Sequence, residues 1–377
     1  MSPVFKKIIR LLFIRANTVV VIFYLLACLV PFVDSGKAWF IAMLGLIFPL
    51  LFFALVGFLL YLLIIKSKWA FLCIVALPFG WQQVSVMFSF HFPDKFKDVK
   101  LPENIRVLTW NLSSWGETNR SKKMNNMRAM VDLIKKTNAD VLCFQEYIYI
   151  KDKSYQDSVI IALKENGYKY SYFAKTNYTR RIYRTTILTA VAVLSKYPIT
   201  DTAQFYYSED DFSEPLIYAD IEINNQPIRI FTTHLQSVRF ENNDFEALHK
   251  LKEPYKANVK QSRAMVGKLK YAYKGRAAQA EMLNKKIKES PYPVIVCGDF
   301  NDVPNSYTYF TVKGDLQDAF LRKGTGFGRT LRLISPTLRI DYILADKKLD
   351  VRQYGKIEVP YSDHYPILAD FNFSKLK

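Results

Sequence analysis

Asp299 and Asn301 stand two residues apart where an apolar run ends, in VIVCGDFNDVPNS (294–306). Alternate side chains on an extended chain share a face, so a carboxylate and an amide spaced this way can address one metal ion or one phosphate. A plain turn uses the same residue types, because Asp and Asn bond their own backbone. Five other places decide between the two. IRVLTW leads to Asn111, DVLCFQ to Glu146 and RIFTT to His234, while RI leads into Asp341, and YSDHYPIL sets Asp363 and His364 at the start of a strand. Each has a bland explanation alone, as a turn, a solvated strand end, a satisfied core histidine or a surface ion pair. All must hold together for the set to mean nothing.

Jointly these residues describe phosphate-ester chemistry. Mg2+ prefers carboxylate, amide and water oxygens, with few protein carboxylates plus the substrate phosphate. Glu146 and Asp363 supply carboxylates, Asn111 and Asn301 neutral polar groups, and Asp299 either binds the metal or positions the attacking water. A histidine backed by a carboxylate is oriented and kept basic, which suits His364 with Asp341. His234 is left to stabilise phosphate charge or to protonate the leaving oxygen. The expected reaction is metal-assisted hydrolysis.

The elements that must position these groups follow from hydrophobic pattern. IRVLTW, DVLCFQEY, TAVAVLS, LIYADIEI, PIRIFTTHL, PVIVCGDF, RIDYILA and PILADFNF read as strands bounded by turn signals. Lys123–Lys136 carries Met127, Met130, Val131 and Ile134 at helical spacing, and 243–289 is a long basic helical stretch. Strands and helices mixed along 105–377 predict one α/β (α+β) catalytic domain. GTGFG (324–328) lacks GK[ST] and a strand-to-helix setting, so it reads as a loop. Four cysteines, Cys28, Cys73, Cys143 and Cys297, show neither CxxC nor Cys/His spacing, so a structural zinc is not expected.

Residues 1–93 differ in kind. Uncharged runs at Ala16–Val33, Ala38–Ile65 and Trp69–Pro93 are long enough to cross a bilayer, though the third contains Pro78, Gly80, Gln82 and Gln83. A cleaved signal is not expected, because a second long run follows the first at once. With no charge inside any run, the segment reads as an anchor of about three transmembrane helices, not a transport path. Residues 94–104 are the expected linker. Lys6, Lys7, Arg10 and Arg15 precede the first run, and Lys66 and Lys68 follow the second. That bias places the N-terminus in the cytoplasm and the catalytic domain outside it. A reporter fused after Lys377 would then be accessible from outside intact cells, and protection there would reverse the topology.

The order WNL, QE, THL, GDFND, RIDYI and SDHYPI resembles the endonuclease/exonuclease/phosphatase family, which includes pancreatic deoxyribonuclease, apurinic endonucleases and neutral sphingomyelinases. The resemblance runs from about Ile105 to Phe373, and TAVAVLSKYPI matches the family's strand leading to a Ser-Lys/Arg-x-Pro turn. It implies a four-layer sandwich of two mixed β-sheets flanked by helices, with the site at one end of the sheets. By resemblance, Asn111 and Glu146 form the first metal-side pair, with Glu146 the principal ligand and Asp363 the second metal-side carboxylate. Asp299 and Asn301 orient the nucleophile and contact phosphate, Asp341 and His364 form the dyad, and His234 matches the histidine of the deoxyribonuclease and sphingomyelinase branches. The family reaction is Mg2+-dependent attack of water without a covalent enzyme intermediate, and Mn2+ is expected to substitute. Apurinic endonucleases follow the glutamate with Thr-Lys; here Tyr147 and Ile148 follow, and His234 stands where they use tyrosine, so a repair role is not expected.

Charge narrows the partner without choosing it. The chain is +18; residues 1–100 hold 10 Lys/Arg against 3 Asp/Glu, leaving 42 against 31, or +11, for the remainder. Such a balance favours a polyanion. Nucleic acid would be tracked by the Lys/Arg/Tyr stretches 175–184 and 250–276. A phospholipid headgroup or other membrane-surface phosphate ester would be favoured by the tether. A scaffold that has lost the chemistry is the remaining alternative, and the filled catalytic positions argue against it.

Overall fold

The computed structural model describes residues 3–92, 96–116, 123–150, 153–182, 185–207, 214–238, 259–332 and 337–374. The chain divides into two compact units: Met1–Met87 with Arg239–Ala277 and Val303–Thr311, and Phe88–Val238 with Ala278–Asp302 and Val312–Lys377.

The first unit holds three stretches of helix long and apolar enough to cross a membrane, Lys7–Phe32, Trp39–Ile64 and Ala70–Met87. Their surfaces say the same as their length. Leu50, Ile64 and Trp81 are 71%, 79% and 70% exposed, and bare apolar area of this kind marks a membrane or protein contact. Polar groups face inward instead and tie the first stretch to the third. Tyr24 donates its hydroxyl to the Leu77 carbonyl (2.9 Å), Gln83 Nε2 donates to the Cys28 carbonyl (2.7 Å), and Cys73 Sγ lies 3.1 Å from Asn17 Oδ1. Pro78 breaks the third stretch into Ala70–Ala76 and Trp81–Met87 with a 3-10 turn between them, as expected of a residue without a backbone N–H.

The second unit is built on two mixed six-stranded sheets. One runs β13 (Asp350–Lys356), β14 (Ile367–Asn372), β2 (Asn104–Asn111), β3 (Val141–Ile150), β5 (Thr185–Ser195), β4 (Tyr170–Ile182). The other runs β10 (Gln317–Asp318), β12 (Asp341–Ala345), β9 (Val294–Asp299), β8 (Gln226–His234), β7 (Leu216–Ile223), β6 (Ile199–Phe205). A small pair, β1 (Ser89–Phe90) with β11 (Thr325–Gly326), stands apart and absorbs part of the expected 324–328 loop.

Alternation builds the layers. Ile105 and Val107 of β2 meet Ile217, Ile230 and Ile295 of the facing sheet in one apolar core. Leu108 and Trp110, on the other face of β2, pack under Met127, Met130 and Ile134 of the helix Lys123–Thr137 and Leu163 of Lys153–Glu165. Behind the second sheet runs the end of the helix Val259–Lys288, where Ala280 and Leu283 are buried and Lys286 lies over the Phe205 ring. The part of the expected 243–289 helix before residue 259, and residues 93–95 where the linker was expected to begin, lie outside the described residues.

Buried charge pins the strand register. Arg106 pairs bidentately with Asp370 across β2 and β14 (2.7 and 3.0 Å), and its remaining N–H groups reach the carbonyls of Asp98, Thr137 and Lys97. Both side chains are almost fully enclosed. Asp370→Ala strands the guanidinium without its carboxylate, so the expected loss of stability is about 3–5 kcal/mol, read as a shift in the denaturant midpoint of the full chain. A shift no larger than that of a surface substitution would remove the pair from the forces that hold the fold.

Candidate active site

The predicted polar residues meet at one end of the two sheets. Parallel β8 and β9 end in register, His234 beside Asp299, and antiparallel β12 begins with Asp341 beside the same Asp299. Gly298 permits the first of these pairings. Its φ is +144°, and an added Cβ would lie 2.0 Å from the Thr233 carbonyl oxygen, so only glycine lets β9 approach β8 at this point.

In the other sheet β2 ends at Asn111, but β3 does not end at Glu146 as its sequence suggests. The strand continues to Ile150 through a bulge between Phe144 and Tyr147, with Glu146 at φ +50°. Bulges re-aim side chains. Here the consequence is that Gln145 is fully buried while Glu146 is turned into the site. Gln145 Nε2 donates to Thr232 Oγ1 of the facing sheet (2.9 Å) and to Thr109 Oγ1 (3.2 Å), tying the sheets together.

Asp299 Oδ2 is the centre. Asn111 Nδ2 donates to it at 3.0 Å, and the Nε2 atoms of His234 and His364 lie 3.5 and 3.7 Å away. Each imidazole is backed by a carboxylate on its other nitrogen. His364 Nδ1 is 3.0 and 3.1 Å from the Asp341 oxygens, and His234 Nδ1 is 3.2 Å from Glu214 Oε2. Asn111 Nδ2 also reaches Glu146 Oε1 (3.3 Å), while Asn111 Oδ1 accepts from the Ser113 N–H (2.9 Å). Asn301, at φ +52°, donates its N–H to Asp299 Oδ1 (2.8 Å) and its side-chain amide to the Leu235 carbonyl (3.0 Å). Ser362 holds the last segment: its hydroxyl donates to the Asn111 carbonyl (2.8 Å), lies 3.3 Å from Asp363 Oδ1 and accepts from the His364 N–H (3.1 Å).

Glu214 is the residue sequence reasoning missed. It is 4% exposed, accepts from the Glu146 N–H (3.1 Å) as well as facing His234, and its other oxygen, Oε1, is buried with no hydrogen-bond partner among the described residues. A signal for it existed. Asn224 and Asn225, both at positive φ, form the two-residue turn joining β7 to β8 and fix Ile217 opposite Thr232. Continued by two residues, that register sets position 215 opposite His234, with Glu214 next to it.

The electrostatics show an excess of carboxylate. Burial pushes the carboxyl of Glu146 up, and the charges of Glu214 and Asp363 add to this against the pull of His234. Burial likewise raises Asp299. Burial alone would lower both imidazoles, but Glu214, Asp299 and Glu146 outweigh it and hold His234 up to about 9, and Asp341 and Asp299 hold His364 well above its ordinary value.

Two oxygen-bearing groups could receive a cation. Asp299, Asp341 and His364 offer ligand atoms within 4.8 Å of one another. That trio, however, is already satisfied by its own ion pair. On the opposite side Glu146 and Glu214, with Asp363 near, carry charge that the imidazoles only partly balance, including the unpartnered Oε1. Carboxylate and amide oxygens without thiolates are the donors a hard divalent ion takes, so these residues fit one.

Among solved structures, the protein from Beutenbergia cavernae titled endonuclease/exonuclease/phosphatase aligns with a TM-score of 0.52 at 17% identity, over 71% of each chain. The human Nocturnin catalytic domain aligns at 0.51 and 19%, over 72% of this chain and 94% of that one. A family protein from Leptotrichia buccalis aligns at 0.50 and 17%, over 71% and 100%. At these identities the likeness is one of fold. No curated protein matches the sequence. Residues 7–87 match a domain of unknown function (DUF8431). Residues 108–364, more than half the chain, match the Endonuclease/Exonuclease/phosphatase family. With two mixed sheets flanked by helices and the polar residues gathered at their common end, the chain belongs to that family, whose members hydrolyse phosphate esters.

Proposed function

We propose that this chain is a membrane-anchored, Mg2+-dependent phosphodiesterase that cleaves nucleic acid by attack of water. The observation that carries the reading is the convergence of Asn111, His234 and His364 on Asp299 Oδ2, each imidazole backed by its own carboxylate. Such an array fixes a water against a phosphorus centre and offers donors to the oxygens around it.

In this reading Glu146 would hold the metal with Asp363, and Asn111 keeps Glu146 and Asp299 at a fixed spacing. When bound, the ion would polarise a phosphate oxygen and neutralise developing charge. Asp299 orients the attacking water and His364, steadied by Asp341, takes up its proton. His234, steadied by Glu214 and cationic at neutral pH, faces the phosphate or the leaving oxygen. Asn301 fixes Asp299 through its backbone N–H and lines the phosphate side. A divalent ion held there would offset part of the carboxylate charge that raises His364, the direction a general base needs.

A phospholipid headgroup is the second substrate reading, favoured by the three apolar helices that would hold the site beside a bilayer. One experiment separates the two. The full chain is the right material, because residues 259–277 and 303–311 group with the apolar helices. Reconstituted with Mg2+, it is given plasmid DNA, RNA and mixed phospholipid vesicles, with Asp299→Ala as control. Nucleic-acid cleavage that the control lacks is the expected result. Headgroup release with intact nucleic acid would transfer the activity to lipid, and no turnover of any phosphate ester would leave a scaffold.

A further inference from the structure

The first unit brings together two segments far apart in sequence. Residues 34–38 join the first and second apolar helices, and a loop between two membrane-crossing helices has to sit at the bilayer face. Against it lies the first part of the helix Val259–Lys288. Ser35 Oγ donates to the Tyr273 carbonyl (3.3 Å), a Cβ on Gly36 would stand 3.6 Å from the Ala277 Cβ, and Lys270 Nζ lies 5.6 Å from the centre of the Trp39 ring. The touching positions 270, 273 and 277 span about 10 Å of helix, so the helix passes the loop side-on. In the same unit the Asn305 carbonyl lies against Gly45 of the second helix, where an added Cβ would be 2.3 Å away.

The outer face of the helix is basic. Arg263, Gly267, Lys270, Tyr271 and Lys274 are exposed at helical spacing, while Met265, Ala272, Tyr273 and Arg276 turn inward. Residues 259–277 contain no Asp or Glu, and among the described residues no carboxylate pairs with Arg263, Lys270 or Lys274. Lys/Arg with Tyr on one helix face, at the level where apolar helices end, suits the headgroup layer of a leaflet that carries anionic lipid. We propose that this face is a docking surface for anionic phospholipid headgroups, a step that rests on the membrane-anchored reading above. Nucleic acid is the competing polyanion; the position beside the 34–38 loop favours lipid.

The test uses the full chain with Gly267→Cys, a position where an added Cβ meets nothing within 4 Å; the four native cysteines are buried. A fluorophore there is read in vesicles of phosphatidylcholine with or without phosphatidylglycerol, each doped with a headgroup-nitroxide lipid. Quenching is expected to be at least about twofold stronger with phosphatidylglycerol, and to fall to the phosphatidylcholine level when R263E, K270E and K274E are added. Absent or equal quenching in chain that survives an alkaline wash overturns the docking surface and leaves the anchor intact. Protection of the label by an added oligonucleotide without lipid quenching gives the face to nucleic acid. Loss of the chain in the wash overturns the anchor itself.

Discussion

His364→Ala is expected to lower turnover of the cleaved phosphodiester by about 10²- to 10⁴-fold and to leave the fold intact. The side chain is held by Asp341 at Nδ1 and shows Nε2 to Asp299. What the segment contributes to the fold runs through its backbone: the Trp110 indole donates to the His364 carbonyl (3.0 Å), and the His364 N–H donates to Ser362. Truncation therefore removes the imidazole without removing the anchor points. Because Asp341 acts through His364, the double variant His364→Ala/Asp341→Ala should be no slower than the single one, the non-additivity expected of residues that work as a unit. Steady-state rates and thermal melts of the three variants check this. A near-normal rate in His364→Ala, or losses that multiply, would dissolve the dyad.

The second large effect is metal removal. Excess EDTA should abolish turnover and Mg2+ or Mn2+ restore it. The reason lies in the crowding of Glu146, Glu214, Asp299 and Asp363 around two histidines, with burial opposing the charge on Glu146 and Asp299. A bound divalent ion relieves that, so it should also raise the melting temperature, since any ligand selective for the native state stabilises it. Glu146→Gln is expected to need at least about tenfold more Mg2+ for half-maximal rate, within the range by which altered metal surroundings weaken affinity, and to lose most of the thermal shift. An enzyme indifferent to EDTA, with melts unmoved by Mg2+, would refute the metal reading.

Much of this arrangement was legible in the chain. Strand ends are local, and so are the apolar runs preceding Asn111, His234 and Asp299; the structure ends β2, β8 and β9 at those residues. The six motifs in order carried the fold. Less legible was whatever depends on a departure from regular geometry or on register. The bulge that aims Glu146 has no sequence mark beyond two polar residues in an apolar strand. The buried Gln145 bridge depends on which sheet lies opposite. Glu214 follows an acidic stretch, stands directly before Pro215 and the strand, and reads as a surface acid until the hairpin register is followed through Asn224 and Asn225. The grouping of 259–277 and 303–311 with the apolar helices was likewise invisible, because it involves contacts between segments far apart in sequence, such as Ser35 with the Tyr273 carbonyl and Gly45 with the Asn305 carbonyl.

The backbone at Glu146 bears on how such a protein changes over generations. A left-handed conformation costs a side-chain-bearing residue on the order of 1 kcal/mol or more, and here it is imposed on a carboxylate that burial already disfavours. Glycine or asparagine would rest more easily in that backbone. A lineage selected for robustness alone would therefore drift away from glutamate at this position early, while the sheets beneath it stayed unchanged. Retention of Glu146 in an otherwise diverging lineage is thus a record of continued selection for the reaction, readable without knowing the substrate.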